Sequence, residues 1–513
     1  MVTVTKFLFA FASVGVSCAF SAGRVERHSN AWQSGPAPHT SGFLNPPFLS
    51  QKLQQHQRGQ SSTVSSATAT PTRNLGASQG ASVNPENGLR SSLAQKKILI
   101  VMSDTGGGHK ASALAIKGAM EKLYGSTVDI EIVDIWTDYG CWPFNTAVEG
   151  YRFASNNPWV WRLFYDQTSN WPAIWAMEQG GYALNRDAFR ECLSRHSPDL
   201  VLSVHPACQH VVIRALEAMQ DEGAVKSPIP LVTVVTDLGS AHPSWFDERV
   251  AKLFVPSQNV KRIALRWGVP ERKIRLVGLP IREGFWDVKV PPVCVAGEPQ
   301  AGERGAVRRE DYRRELGLRE DLPTVLVVGG GEGVGGLQVI MEKLVKVLRK
   351  QGRKQPWPRG GVQVVAICGK NDAARNSINE VFGNPVDNVY VKATGFVTDM
   401  EKYMCASDCI VTKAGPGTIA EASVCGLPTM LSSYLPGQEA GNVPFVRKNG
   451  FGDYSSSPGR IAKTVVSWLQ DPEKMREMST NARKAALPHA TVEIAEGIGE
   501  GLLGLKPVKQ NSS

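Results

Sequence analysis

The segment Ser103-Asp104-Thr105-Gly106-Gly107-Gly108-His109-Lys110 follows an apolar run ending at Met102 and precedes a helical pattern through Ala113, Ile116 and Met120. Three successive glycines let backbone N–H groups approach a bound group closely, and a helix start adds the positive end of a dipole. His109 sets a titratable ring beside them, with an ordinary pKa of about 6.5 suited to taking a proton near neutral pH. The chemistry is that of a phosphate-and-base loop. If His109 only positions substrate, Asp134 or Asp138 at a neighbouring strand end is the alternative base.

The second half carries Gly329-Gly330-Gly331-Glu332-Gly333-Val334-Gly335-Gly336, again directly after an apolar run. Gly331, Gly333 and Gly336 satisfy G-x-G-x-x-G, but the acidic residue expected about twenty positions on is replaced by Leu348-Arg349-Lys350-Gln351. A dinucleotide-dependent oxidoreductase is therefore disfavoured. At Thr412-Lys413-Ala414-Gly415-Pro416-Gly417-Thr418 a strand ends in a glycine turn before a helix, a natural seat for pyrophosphate with Lys413 as a point charge. Glu421 can then reach a ribose diol, or Thr418 and Glu421 can form a capping box that serves stability alone. Pro436-Gly437-Gln438-Glu439-Ala440-Gly441-Asn442 offers the mixed donors and acceptors that sugar hydroxyls require, and Gly395-Phe396-Val397 sits where backbone groups can pair with the edge of a base. The mature chain has no D-x-D pair, so the sequence gives no support for a metal clamp, and activity without a chemically required divalent ion is expected.

Strand-like runs position these loops. Ile98–Met102, Val128–Val133, Leu200–Val204, Leu231–Thr236 and Leu253–Pro256 alternate with helical patterns, as do Thr324–Val328, Val362–Cys368, Val389–Lys392, Cys409–Thr412 and Pro428–Leu431. Alternation of this kind predicts α/β architecture with parallel sheets, here two doubly wound domains facing across a cleft, with ligands at the carboxyl ends of the strands. The expected organisation is a leader over 1–93, a first domain over 94–286, a linker over 287–322, a second domain over 323–487, and, over 488–513, a helix returning to the first domain together with the tail.

A formal charge of +10 on 513 residues favours anionic partners. Nine scattered cysteines without C-x-x-C indicate neither a disulfide framework nor a zinc site, although Cys405 and Cys409 would share a face if helical. The apolar run Phe7 to Val16 is too short to span a bilayer, and the Ser, Thr, Gln and Pro-rich stretch after it has the profile of a transit segment. It resembles the bipartite leader of algae with complex plastids; an ordinary secretory signal with a linker is the alternative. Trp136, Trp142, Pro143, Phe144, Trp159, Trp161, Trp171 and Trp175, with Arg152, Arg162 and Arg186, suit a surface that dips into lipid, with about half of the tryptophans expected in the core.

Taken in order, Gly-Gly-Gly-His109, Gly395-Phe396-Val397, Ala414-Gly415-Pro416-Gly417-Thr418 with Glu421, and Gln438-Glu439-x-x-Asn442 resemble the monogalactosyldiacylglycerol synthases, relatives of the transferase that adds N-acetylglucosamine to the peptidoglycan lipid precursor. The likeness runs from about Lys96 to Leu503. It implies a GT-B glycosyltransferase fold, UDP-galactose as donor, diacylglycerol as acceptor and inversion at the anomeric carbon, with no cofactor. It also implies donor contacts at Gly108, Gly331, Glu332, Gly333, Gly369, Gly395, Phe396, Val397, Met400, Lys413, Gly415, Pro416, Gly417, Thr418, Glu421, Gln438, Glu439 and Asn442. Acceptor or lipid contacts are implied at Gly106, Gly107, Trp142, Pro143, Arg214 and Trp245, and His109 is the expected base. Anionic lipids such as phosphatidic acid and phosphatidylglycerol are expected activators, with peripheral attachment to a plastid envelope, no nucleic-acid partner, and a homodimer left open. Another UDP-hexose or lipid acceptor, or a lipid-binding protein without turnover, are the competing expectations.

Overall fold

The computed structural model describes residues 95–291, 307–329, 336–357 and 359–508. The leader, residues 292–306 of the 287–322 linker and the Gly331, Glu332 and Gly333 positions lie outside the described residues.

Two six-stranded sheets carry the fold, and every strand pair in them is parallel. The first contains β1 (Lys96–Met102), β2 (Val128–Asp134), β3 (Leu200–Ser203), β4 (Leu231–Val234), β5 (Lys252–Val255) and β6 (Ile274–Leu276), in the order β2-β1-β3-β4-β5-β6. The second contains β7 (Thr324–Val328), β8 (Val362–Ile367), β9 (Val389–Thr394), β10 (Cys409–Thr412), β11 (Thr429–Leu431) and β12 (Gly452–Tyr454), in the order β12-β11-β10-β7-β8-β9. Helices cover both faces, so the central strands are buried and read as unbroken apolar runs. The strand order reverses between β1 and β3 in one sheet and between β7 and β10 in the other. Loops leaving such switch points are where doubly wound domains bind ligands. The His109 loop leaves β1, and the Lys413 loop leaves β10.

Two edge strands, β6 and β12, were not expected from the sequence. Each is only three residues long and mixes polar with apolar side chains, Ile-Arg-Leu and Gly-Asp-Tyr, so neither leaves an apolar run. Within the expected linker, Arg309–Glu315 forms a helix seated on the second domain, where Arg309 donates to the carbonyls of Cys405 and Cys425 and Arg313 pairs with Asp408 at 2.7 Å. Cys405 ends a helix and Cys409 lies on β10, so they share no helix face; Cys405 instead meets Cys425, sulfur to sulfur at 3.6 Å.

The last helix, Ala490–Leu503, packs on the first domain. The hydroxyl of Thr491 donates to the Ile281 carbonyl and accepts the Ile281 N–H, and Ile494 and Ile498 join the core built on Ile98 and Ile100. Close approach requires Gly499, where a Cβ would stand 2.2 Å from the Tyr124 ring. Gly499→Ala is therefore expected to lower stability by about 1–3 kcal/mol, the cost of overpacking, seen as a lower urea midpoint. An unchanged midpoint would mean that this helix is not seated on Tyr124.

Candidate functional site

At the first switch point the chain turns through Gly106 and Gly107, with φ of 85° and 72°, a conformation that glycine adopts without penalty. Gly107 caps the helix Gly108–Tyr124, so His109 lies in its first turn, not before it. Asp134 anchors this loop: one oxygen accepts the Asp104 N–H at 2.9 Å and the other caps the following helix at Thr137. Its oxygens thus serve backbone groups, which weakens its case as the base.

His109 is 7% exposed, and its Nδ1 lies 2.9 Å from both the Val204 carbonyl and the Thr236 hydroxyl. A carbonyl only accepts, so Nδ1 carries the proton and Nε2 keeps the lone pair. Burial pushes the ring's pKa down from 6.5 to about 4, against the Val204 bond and the Asp104 charge, so His109 is neutral at physiological pH. The ordinary basicity expected from sequence does not hold in the free protein. His205 packs against it edge-on at 4.4 Å; the Ala207 N–H donates to His205 Nδ1, which fixes the opposite tautomer and leaves Nε2–H to donate to Thr105 Oγ1 at 2.8 Å.

At the second switch point, Gly415 caps the helix Pro416–Val424, whose first turn contains Gly417 and Thr418. Thr418 is therefore not the N-cap, and no capping box forms with Glu421. The Glu421 carboxylate instead accepts two hydrogen bonds from Arg282, at 2.8 and 2.7 Å, in a fork across the two domains. A Cβ at Gly108 or Gly417 would meet no described atom within 4 Å, so both helix starts open onto free space. Gly369 and Gly395 lie together at the ends of β8 and β9 beside Arg375; Phe396 is exposed, Val397 packs against the core, and Met400 begins the next helix.

The domains touch backbone to backbone. A Cβ on Gly239 would fall 2.1 Å from the Gly441 carbonyl oxygen, and one on Gly441 2.4 Å from the Gly239 carbonyl carbon. Asn442 locks this contact: its Oδ1 accepts the Gly239 N–H at 2.7 Å and its Nδ2 donates to the Ala414 carbonyl at 2.8 Å. Glu439 is similarly engaged, by the Leu435 N–H and by Lys413. Of the three polar residues expected to meet a sugar, two have both polar ends occupied within the protein.

Residues 109–281 match the family model for monogalactosyldiacylglycerol (MGDG) synthase, and residues 324–494 match that for the glycosyltransferase family 28 C-terminal domain. A probable chloroplastic monogalactosyldiacylglycerol synthase of Nicotiana tabacum is 40% identical over 422 residues, which span 81% of this chain and 72% of that one. Monogalactosyldiacylglycerol synthase 1, chloroplastic, of Arabidopsis thaliana is 38% identical over 421 residues, 81% of this chain and 73% of its own. The chain belongs to the monogalactosyldiacylglycerol synthase family. Among solved structures, Acinetobacter baumannii MurG aligns over 78% of this chain and 98% of its own, with 14% identity and a TM-score of 0.48.

Other positions implied by the likeness to monogalactosyldiacylglycerol synthases fall as follows. Trp142 and Arg214 are exposed or half-exposed on the first domain, and Pro143 follows Trp142 through a cis peptide bond. Trp245, expected at a lipid surface, is fully buried, and its indole N–H donates to Asp237 at 2.7 Å. Its bulk is needed inside, 6.1 Å from the His109 ring. Of the tryptophans in the 136–175 stretch, Trp142, Trp159, Trp171 and Trp175 are exposed, and Trp136 with Phe144 forms core. Sequence reasoning missed Thr236, Asp237 and Arg282 and gave His205 no role. The first two and His205 directly follow strands β3 and β4, so the strand-end rule was the available signal.

Burial of these groups ties stability to pH. His109 and His242 are both held at about 4 by burial, and His205 is held well below its ordinary value of 6.5. Asp237, burial raising it from 3.8 to about 7, and Glu421, raised chiefly by burial, work in the opposite sense. Between pH 6.5 and 4 the unfolded chain binds protons on three histidines that the folded chain leaves bare, while the folded chain already holds one on Asp237. The balance favours the unfolded state as pH falls, by about 1.4 kcal/mol per unit for each net proton. Urea midpoints at pH 7, 6 and 5 are expected to fall in that order; a rise on acidification would contradict the assignment of neutral buried histidines.

Proposed function

We propose that this protein moves galactose from UDP-galactose to the sn-3 hydroxyl of 1,2-diacylglycerol, with inversion, making monogalactosyldiacylglycerol. Membership of the synthase family carries the reaction. The observation that carries the mechanism is the commitment of His109 Nδ1–H to the Val204 carbonyl, which leaves Nε2 as the basic nitrogen in the first turn of a helix whose start, at Gly108, opens onto free space. Nε2 takes the proton from the diacylglycerol hydroxyl as that oxygen attacks C1 of the galactose from the face opposite the nucleotide. The bond from C1 to the diphosphate oxygen breaks, and its electron pair leaves with UDP.

A histidine with a pKa of about 4 is a weak base, because general bases work best near the operating pH. The negative diphosphate supplies what the empty pocket lacks, since a nearby opposite charge favours the protonated ring. His109 thus becomes basic when the donor is bound. Lys413 and the N-terminus of the helix Pro416–Val424 receive the charge developing on UDP, so a divalent ion is not required for the chemistry. Glu421, oriented by Arg282, is the group for the ribose diol. His109→Ala is expected to reduce transfer of radiolabelled galactose by about two to four orders of magnitude while the UDP dissociation constant stays within about twofold; full activity would overturn the role.

We assign the lipid side to the first domain. Trp142, in a turn, and Trp159, Leu163, Trp171 and Trp175, on the consecutive helices Pro158–Thr168 and Trp171–His196, expose apolar surface as interfacial anchors do. No helix among the described residues is long and apolar enough to cross a membrane. We further propose peripheral attachment to a plastid envelope through that tryptophan surface, with residues 1–93 as a leader for a complex plastid and anionic lipids as activators. Vesicles containing phosphatidic acid or phosphatidylglycerol are expected to float more protein than neutral ones, and Trp159→Ser with Trp171→Ser to reduce flotation from both. Equal flotation with neutral vesicles would remove the electrostatic contribution.

A further inference from the structure

The surface that carries the exposed tryptophans has no excess of positive charge. Residues 135–196 contain five arginines against six aspartates and glutamates, and the whole first domain, 95–286, holds 21 Lys and Arg against 20 Asp and Glu. Any attraction to an anionic bilayer therefore has to come from elsewhere. The second domain offers a concentrated source. Its helix Leu337–Lys354 carries six basic residues and one acidic, and the helix Pro458–Leu469 carries two basic and none acidic. Lys343, Lys346, Lys350 and Lys354, three or four residues apart, form one exposed stripe that begins at exposed Val339. None of the four has an ion-pair partner among the described residues, and the lone acid of that helix, Glu342, accepts from Gln338 at 3.3 Å. Arg460 and Lys463 add two more exposed cations on the helix packed alongside. Like charges at this spacing destabilise a helix unless a counter-charge meets them.

One apolar core runs along both sheets, on the strand faces of Ile98 and Ile100 in the first and of Leu326 and Ile410 in the second. The opposite faces, through Leu99 and Val101 and through Val325 and Val327, are covered by the tryptophan-bearing helix Trp171–His196 and by the two basic helices. Both layers thus lie away from the shared core. We infer that the lysine stripe of the helix Leu337–Lys354 is a docking surface for the anionic headgroups of a bilayer, and that it draws the second domain to the membrane that the first enters through its tryptophans. The inference rests on the membrane attachment proposed above. Apolar burial does not depend on headgroup charge, whereas a lysine close to an anionic surface contributes about fivefold in binding and is screened by salt.

The test is flotation of the full chain with phosphatidylcholine vesicles, with and without phosphatidylglycerol, at low and high salt. Replacing Lys343, Lys346, Lys350 and Lys354 together by Gln is expected to lower binding to the anionic vesicles roughly 10- to 100-fold and to remove most of its salt dependence, with neutral binding kept within about twofold. Glutamine has nearly the helix propensity of lysine and all four side chains are exposed, so the fold is kept. Trp159→Ser with Trp171→Ser lowers binding to both vesicles instead. A control takes as many charges from exposed positions on other elements, Lys97, Lys226, Arg266 and Lys448, and is expected to change anionic binding less than about threefold. An equal loss in the control would mean that net charge alone attracts the bilayer, and would overturn the inference. Unchanged anionic binding in the lysine variant would overturn it too, and is the result expected if this face takes an acidic protein. If the unsubstituted protein floats with neither vesicle, the attachment reading falls and this inference with it.

Discussion

Contact between two backbones, at Gly239 and Gly441, is the constraint on which the site depends. Neither position tolerates even a methyl group, since either Cβ would fall inside 2.5 Å of the opposing chain. The contact brings the carboxyl ends of the two sheets together, and Asn442 holds it with one hydrogen bond to each domain. Ser240 adds a bond to the Gln438 carbonyl at 3.1 Å. Peptide groups brought so close must find partners or lose them to desolvation, and here the partners come from the opposite domain. The polar loop 436–442 therefore serves first as the seat of the interdomain contact.

Burial that makes this seat rigid also sets the chemistry of the residues around it. His109 and His205 adopt opposite tautomers because one donates to a carbonyl and the other accepts an N–H, and two neutral rings can then pack 4.4 Å apart without repulsion. Burial keeps both rings neutral, and for His205 the neighbouring His109 adds to that resistance. Glu421 and Arg282 solve a related difficulty: a buried carboxylate facing a cleft is costly alone, and the guanidinium fork satisfies both oxygens at once.

Much of this was legible in the sequence, and the divisions are physical. The eight central strands announce themselves because strands buried on both faces must be apolar throughout; of the four edge strands, β2 and β9 keep several apolar positions over seven and six residues, whereas β6 and β12 are only three residues long and mix polar with apolar. Three glycines followed by histidine located the first helix start, but no residue type reveals that the ring will be buried and weakly basic. Thr418 and Glu421 have capping-box spacing, yet proline three residues after Lys413 starts the helix earlier, since its fixed φ suits the first helical position. Trp245 looks like a lipid anchor by type alone. Its burial depends on Asp237 accepting the indole proton, a long-range partnership that composition cannot express.

The departure of the first sheet from the second connects the lipid surface to the base. In the second domain the strands run outward from β7 through β8 and β9 on one side. In the first, the chain beyond β2 does not return as a third strand on that side but passes through helices from 135 to 196 before β3. Those helices carry the exposed tryptophans, and two of their tyrosines press on the site's glycines: Tyr151 lies 3.2 Å from where a Cβ on Gly106 would be, and Tyr165 2.5 Å from where one on Gly437 would be. One helical layer thus has tryptophans on its outer surface and touches, on its inner surface, both the His109 loop and the Gln438 loop. On the lipid-facing role proposed above for those tryptophans, only this one layer separates an acceptor at the outer face from the His109 loop, and the two tyrosines leave the glycines on its inner side no room for a side chain.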